Sequence, residues 1–561
     1  MPLPESIFAA TLADFDLDVV EGRWPDGVQG EMFVSAPVVD DRLDFQLFGF
    51  GAMVRISLRP GTHGAEPGSF ALRRRVIDTP VQRIHSRVRE AFSGGVLGLD
   101  SVFGHANMVN TAPLAWNGRM FATWDVGRPV EIDPVTLGFL GEVGSTESWG
   151  GDSFGQKRVL PQIFSTAHPV TDPERGCMWT VKLSPTRDGL QPTLVRWSGD
   201  SARVQTWPLE GAGVWGSMHT ITQTRNWLVL ADSGNFKADM NEVFGGERTC
   251  TIDATVPVYF VRKDDVDRTA PGNPVPWVRG EFGPTTGHYY AVWDDSEGVR
   301  VLFEHLDLTD LGYRLMPGDV DAHGAPLNPA HVGFYNMAMR SQTVSEMVFD
   351  PGRNGTVSSR TIGRVNDGDM WNLQLSAMDW SLAGMENPTH HHVVFQGRKP
   401  QMLARRVLDL YEGRAPEREI AGPETGARLV TFERGTLRQV AEHRWATLDD
   451  LPSSPIFVPR HGGAPGGGDG WVVVPVLSDS GFRLECFDAA RVSAGPVAVL
   501  RGRARQQVPF LLHAVWMESA SPAPDVERNR FADEISDGVG AEALARLEPH
   551  LRDAVLDVAA G

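Results

Sequence analysis

The chain has 561 residues, of which 41% are hydrophobic, 22% charged and 9% aromatic, and its formal net charge is −19. This apolar content excludes a disordered or collagen-like chain, because enough apolar surface is available to bury. The negative charge argues against a nucleic-acid partner, since a phosphate backbone would be repelled. The length allows two to four ordinary domains or one large repetitive architecture.

The start of the chain and the cysteines bear on location. Residues Met1–Glu5 lack the charged and apolar regions of a signal peptide, and no run of about 18 apolar residues predicts a transmembrane helix. Cys177, Cys250 and Cys486 share no CxxC spacing, so neither a disulfide framework nor a cysteine-based zinc site is predicted. We therefore expect a soluble cytoplasmic protein.

Short strand-like runs recur from near residue 30 to near residue 517, each flanked by Gly, Pro, Asp or Asn. Examples are 120–124, 177–182, 227–231, 299–303 and 471–477. Pro475 inside the last run indicates an edge strand or a bulge. Many short strands without long amphipathic helices favour an all-β fold, a β-propeller over a single sandwich.

The end of the chain has a different pattern. It is polar and contains proline to about Asp537, and apolar residues then recur at helical spacing from Leu544 to Val558, with Pro549 expected to break or begin a turn. We predict a propeller domain over residues 1–518 and a polar segment with a docked helix over 519–561.

Four of the sixteen histidines lie in compact apolar settings at strand-like positions: His168, His219, His288 and His513. A propeller can bring such distant residues together, because the innermost strand of each blade lines a central channel. Four imidazoles on an octahedral metal leave two positions open. That suits Fe(II) binding O2 beside a substrate, and it suits structural zinc poorly.

The surroundings of these histidines resemble the carotenoid cleavage oxygenase family. The resemblance covers roughly residues 15–517 and rests on six motifs in the family's order: 117–133, 165–173, 218–224, 287–294, 455–460 with 469–471, and 508–516. It implies a seven-bladed β-propeller with loop and helix insertions covering one face. It also implies an Fe(II) centre held by the four histidines, which makes residues 1–518 the catalytic domain.

The resemblance implies an O2-dependent dioxygenase that cleaves a conjugated C=C bond to two carbonyl products. The expected substrate is a carotenoid, an apocarotenoid or a related apolar, stilbene-like alkene. Members that cleave phenolic stilbenes have a lysine where this chain has Trp124, so an uncharged alkene is favoured. His105 is a second candidate substrate contact. Association with a membrane surface is left open.

The family supports three of its histidines with glutamates, and this chain departs from that pattern. The three positions are occupied by Asp125, by Glu386 in a divergent stretch, and by Ser454, whose hydroxyl carries no charge. The consecutive His390, His391 and His392 alternate faces in an extended chain and are predicted to lie in a loop or at the rim of the site.

Three alternatives stay open on the sequence. One is an isomerase on the same scaffold, since the family includes retinoid isomerisation. Another is a metal-poor binding protein, motivated by Asp125 and Ser454. The third is an unrelated propeller with a structural role, which predicts that the four histidines lie apart.

Overall fold

The computed structural model describes residues 13–561 except 39, 41–42, 44, 97, 188, 234–235, 238, 244, 353–356, 373–374, 378–387 and 537. Within those residues the chain is mostly β. The strands before His168, the first of the four candidate histidines, are β1 (Phe15–Gly22), β2 (Glu31–Val38), β3 (Phe50–Ser57), β4 (Phe70–Val76), β5 (Phe92–Gly95), β6 (Gly98–Ser101), β7 (Gly104–His105), β8 (Ala112–Trp116), β9 (Arg119–Thr123), β10 (Val130–Ile132) and β11 (Phe139–Glu142).

The central strands carry three of the candidate histidines in or just before them. They are β12 (Val170–Asp172), β13 (Cys177–Thr186), β14 (Gly189–Trp197), β15 (Gln205–Pro208), β16 (Ile221–Gln223), β17 (Trp227–Ala231), β18 (Val256–Arg262), β19 (Val278–Phe282), β20 (Thr286–Ala291), β21 (Val299–His305), β22 (Thr343–Pro351) and β23 (Val357–Val365).

The remaining strands complete the ring. They are β24 (Leu375–Ser376), β25 (His390–Phe395), β26 (Arg428–Glu433), β27 (Arg438–Arg444), β28 (Leu451–Pro452), β29 (Ile456–Pro459), β30 (Gly470–Leu477), β31 (Arg483–Asp488), β32 (Ala498–Gly502) and β33 (Ala514–Met517).

The described helices are short, and none combines the length and the apolar composition needed to cross a bilayer. They are α1 (Pro80–Arg87), α2 (Met240–Val243), α3 (Lys263–Arg268), α4 (Arg405–Leu410), α5 (Glu417–Ile420), α6 (Phe531–Ser536), α7 (Gly538–Ala545) and α8 (Pro549–Ala560). Single 3-10 turns lie at Gln46–Phe48, Arg89–Ala91, Pro329–His331, Pro400–Met402 and Ala489–Ala494.

Over the described residues, the sheets form seven blades, and β5, β6 and β7 form a further three-stranded sheet. Five of the blades are separate four-stranded antiparallel sheets, β8–β11, β12–β15, β16–β19, β20–β23 and β24–β27. A ten-stranded sheet holds the other two, one of β33, β2, β3 and β4 and one built on β30, β31, β32 and β1. The first strand thus pairs with β32 and closes the ring. The predicted seven-bladed β-propeller is confirmed.

Apolar side chains fill the space between successive blades, as expected where sheets pack face to face. One cluster joins β13 and β14 to β17 and β18, and another joins β17 and β18 to β21 and β22. The largest cluster also takes in inserted segments, from Leu306 to Met339 and from Met402 to Ile420, together with the C-terminal helices.

The strand of Pro475 is not an edge strand, but the sheet is irregular at this residue, as in a β-bulge, because residues 453–455 stand opposite only Val474 and Pro475. Its strand, β30, pairs with β28 at Val476 and Leu477 and with β29 from Gly470 to Val473, so Pro475 faces the gap between two short strands. A residue without an N–H is accommodated there because the neighbouring ladder is interrupted.

A four-histidine candidate metal centre

The four predicted histidines converge at the centre of the propeller. His168, His219 and His513 each come just before the first or last strand of a blade (β12, β16 and β33), and His288 lies on β20. One nitrogen from each ring can be chosen so that all four lie within 4.8 Å of one another. The ring centroids of His168 and His513 are 4.5 Å apart, and those of His288 and His513 are 4.7 Å apart.

Hydroxyl groups fix the chain beside these histidines. Thr166 Oγ1 donates to the carbonyl of His219 at 2.7 Å, and Thr220 Oγ1 donates to the carbonyl of Gly287 at 2.6 Å. The bulge at Gly287 shifts the β20–β21 register just before His288. Bulges of this kind re-aim side chains beside active sites.

Burial favours the neutral form of two of the imidazoles. His168 and His513 are buried, and burial, followed by the neighbouring imidazoles, lowers the pKa of each well below its ordinary value. Neutral imidazole is the metal-ligating form. Among the residues that the structure describes, the buried Nε2 of His168 has no hydrogen-bond partner. Four imidazoles converging on one point, with an unsatisfied buried nitrogen among them, fit a metal ion.

Asp125 and His219 come together. The carboxylate lies 2.9 Å from His219 Nδ1, so the ring donates there and its Nε2 is left to bind a metal. The backbone around the acid is held by Ser165, whose amide donates to the Asp125 carbonyl at 2.6 Å and whose hydroxyl donates to the Trp124 carbonyl at 3.0 Å.

Ser454 and His513 are not hydrogen-bonded to each other. The buried hydroxyl of Ser454 instead donates to the carbonyl of Ser376 at 3.3 Å, and no described residue is a hydrogen-bond partner of His513 Nδ1. Glu386, the remaining predicted partner, lies outside the described residues.

A buried carboxylate that sequence reasoning missed, Glu304, lies behind His288. Its Oε2 is 3.6 Å from His288 Nδ1 and its Oε1 is 2.6 Å from His391 Nε2. Burial alone would raise the pKa of Glu304, but these imidazoles bring it below its ordinary value. The available signal was the hairpin of β20 and β21, which places His288 opposite Glu304.

The prediction of a loop for His390, His391 and His392 is wrong, because they begin β25. Their side chains do alternate between faces. His391 reaches Glu304, whereas His392 contacts Thr431 Oγ1 at 2.8 Å and the carbonyl of Gly467 at 2.6 Å.

Trp124 and His105 lie against each other and are both buried. Their rings stack with centroids 5.8 Å apart. Asp100 holds His105 Nδ1 at 2.8 Å, and His105 Nε2 has no hydrogen-bond partner among the described residues. Trp124 directly precedes Asp125, the residue that contacts His219.

Comparisons with known proteins agree with this geometry. The sequence profile of the family described as Retinal pigment epithelial membrane protein matches residues 8–518. Apocarotenoid-15,15'-oxygenase of Synechocystis sp. is 23% identical over 536 residues, which cover 90% of this chain and 94% of that protein. Isoeugenol monooxygenase of Pseudomonas putida is 22% identical over 529 residues, again 90% of this chain and 94% of that protein.

The fold is shared with a solved structure, the lignostilbene dioxygenase of Pseudomonas brassicacearum. The TM-score is 0.57 at 17% sequence identity, covering 92% of this chain and 99% of that one.

Proposed function

We infer the function of this chain from the family to which it belongs, the Retinal pigment epithelial membrane protein family of carotenoid and stilbene oxygenases. We propose that it is a non-haem Fe(II) dioxygenase that cleaves a conjugated C=C bond. The substrate would be a carotenoid, an apocarotenoid or a related apolar alkene, and the products two carbonyl compounds. The observation that carries the proposal is the convergence of four imidazoles, with ligand nitrogens within 4.8 Å of one another.

The chain's own residues have separate tasks in this proposal. His168, His219, His288 and His513 would hold the metal, and Asp125 fixes the orientation of His219. Iron, when bound, supplies the oxygen chemistry that these side chains lack. The four histidines would be the protein ligands of the iron, and the bound metal would supply the reaction of O2 with the alkene.

Trp124 and His105 are the proposed substrate contacts. Support comes from their burial and stacking, and from the position of Trp124 directly before Asp125, which contacts His219. An indole face suits an uncharged conjugated alkene better than a phenolate, for which a nearby cation would be needed. The names of two relatives, an apocarotenoid oxygenase and an isoeugenol monooxygenase, suggest a long and a short alkene as the first substrates to test.

Oxygenase names among the relatives favour cleavage over isomerisation on the same scaffold. The convergence of the histidines argues against a propeller with a purely structural role. The lowered pKa of His168 and of His513 favours the metal-ligating form of both rings and argues against a metal-poor binding protein. We also propose that the protein is cytoplasmic and contacts a membrane surface transiently to obtain apolar substrate.

The test is metal content together with O2 consumption and product analysis. Purified protein loaded with Fe(II) should consume O2 with an apocarotenoid, a stilbene or isoeugenol and release two carbonyl products. Replacing any one of the four histidines with alanine should remove both metal and activity, whereas the exposed His461→Ala should change neither. Full iron occupancy in two or more of the four variants would overturn the assignment.

A further inference from the structure

A buried carboxylate joins the metal centre to the next blade of the propeller. Glu304 is fully buried and lies between two imidazoles, with Oε2 3.6 Å from His288 Nδ1 and Oε1 2.6 Å from His391 Nε2. The first imidazole belongs to the candidate metal centre and the second does not.

The fold explains how this arrangement arises. Glu304 lies on β21, directly opposite His288 on β20, within one blade. His391 lies on β25, in the neighbouring blade of β24–β27, and reaches across the interface between the two sheets. The contact is therefore set by how two blades pack, and no local motif contains it.

The chemistry fixes the direction of the hydrogen bond. An ionised carboxylate only accepts, so His391 donates from Nε2–H. Glu304 Oε2 faces the Nδ1 side of His288, which leaves that ring's Nε2 to face the centre. A buried carboxylate needs partners, because an unpaired buried charge is costly. Tyr290, whose hydroxyl contacts Ser376 Oγ at 2.9 Å, stands nearby.

We propose that Glu304 and His391 act together as positioning residues for His288, with His391 holding the carboxylate and the carboxylate orienting the ligating ring. The inference rests on the proposed four-histidine metal site. The competing interpretation is a cross-blade contact that stabilises the fold and leaves the metal unaffected.

The chain offers a matched control for this distinction. His392 is adjacent on β25, is also buried and makes two hydrogen bonds, but its side chain points away from Glu304. Replacing either histidine with phenylalanine removes buried hydrogen bonds from the same strand. Only His391→Phe removes a partner of Glu304.

The experiment measures Fe(II) and Co(II) affinity by chelator competition, and the visible absorption of the Co(II) form. We expect His391→Phe and Glu304→Gln to weaken binding by about 10- to 100-fold, the usual effect of losing a residue that supports a ligand. Both should alter the Co(II) spectrum, because ring orientation changes. His391→Gln keeps an N–H near the same place and should recover much of the affinity. His392→Phe should bind metal as the wild type does.

Wild-type affinity and spectrum in both folded His391→Phe and folded Glu304→Gln would overturn the inference and leave the metal site standing. Glu304→Gln is nearly isosteric and decides the matter if His391→Phe fails to fold. Equal weakening in His392→Phe would assign the effect to the fold and also overturn it. A wild-type protein that binds neither metal would overturn both this inference and the proposed function.

Discussion

Three of the four histidines differ in the hydrogen-bond support that neighbouring side chains give to their rings. Asp125 reaches His219 at 2.9 Å, and Glu304 lies 3.6 Å from His288. Within the described part of the chain, His513 Nδ1 has no hydrogen-bond partner, since the hydroxyl of Ser454 is directed to Ser376. A carboxylate that accepts from a ligating imidazole raises its basicity, so His513 is expected to be the least strongly donating of the three.

Ser454→Glu is expected to bind Fe(II) more tightly, by up to about 10- to 100-fold, because a carboxylate would then accept from His513 Nδ1. The two segments are in contact, since Ser453 Oγ donates to the carbonyls of Leu511 and Leu512 at 2.9 and 3.0 Å. Chelator competition measures the change. Ser454→Gln is the control of equal size and lower basicity, and unchanged or weaker binding in a folded Ser454→Glu protein would contradict the expectation.

At the scale of elements, the sequence was informative where one strand carries its own signal. The histidines were predictable because each lies in a short motif on or just before a strand. The run 227–231 was predictable as well, and it is β17. Glu304 and His391 were not, because their roles depend on the register of β20 with β21 and on packing between blades. Pro475 indicated an irregularity in the sheet, but it did not indicate that the extra residue lies between its partner strands β28 and β29.

The division between the propeller and residues 519–561 stays a prediction. The contacts of residues 519–561 with the propeller indicate that removing them would lower the stability of the fold. Glu534 on α6 pairs with the buried Arg128 at 2.6 Å, beside Glu142. Burial would raise the pKa of Glu534, but Arg128 lowers it to about 2. On α8, which packs against α1, several side chains join the main apolar cluster, including Leu551 and Val555.

Truncation after Glu518 is therefore expected to lower the melting temperature by several degrees while leaving metal content per folded molecule unchanged. The loss follows from exposing apolar surface on α1 and leaving Arg128 with one carboxylate partner fewer. Thermal unfolding and metal analysis measure the two effects. In the full chain, Glu534→Gln should reproduce part of the stability loss. A truncated protein that folds well but holds no metal would show that the tail belongs to the catalytic body.

At the scale of the whole molecule, buried histidines make stability depend on pH. Burial lowers the pKa of His305 and of His392 to about 4, against an ordinary value of 6.5. Between these values the unfolded chain binds protons that the folded chain does not. The free energy of unfolding therefore falls as pH drops through this window, by about 3 kcal/mol for each residue.

The carboxylates act in a lower window. Glu346 and Glu534 have a pKa of about 2 because arginines offset the effect of burial, so their contribution is present above their ordinary 4.5 and is lost as pH falls below it. A fall in stability between pH 6.5 and pH 5 thus belongs to the histidines, and one below pH 4.5 belongs increasingly to the acids.

We expect metal-free protein to lose stability from pH 6.5 to pH 5, measured as the free energy of unfolding in urea. His392→Phe should be less stable than the wild type at pH 7, because two buried hydrogen bonds are lost. Its stability should nevertheless fall less steeply with decreasing pH, because one suppressed protonation has been removed. A chelator in all samples ensures that metal binding does not contribute to the dependence of the unfolding free energy on pH. Equal slopes for the two proteins across this window would mean that His392 becomes protonated without unfolding the chain.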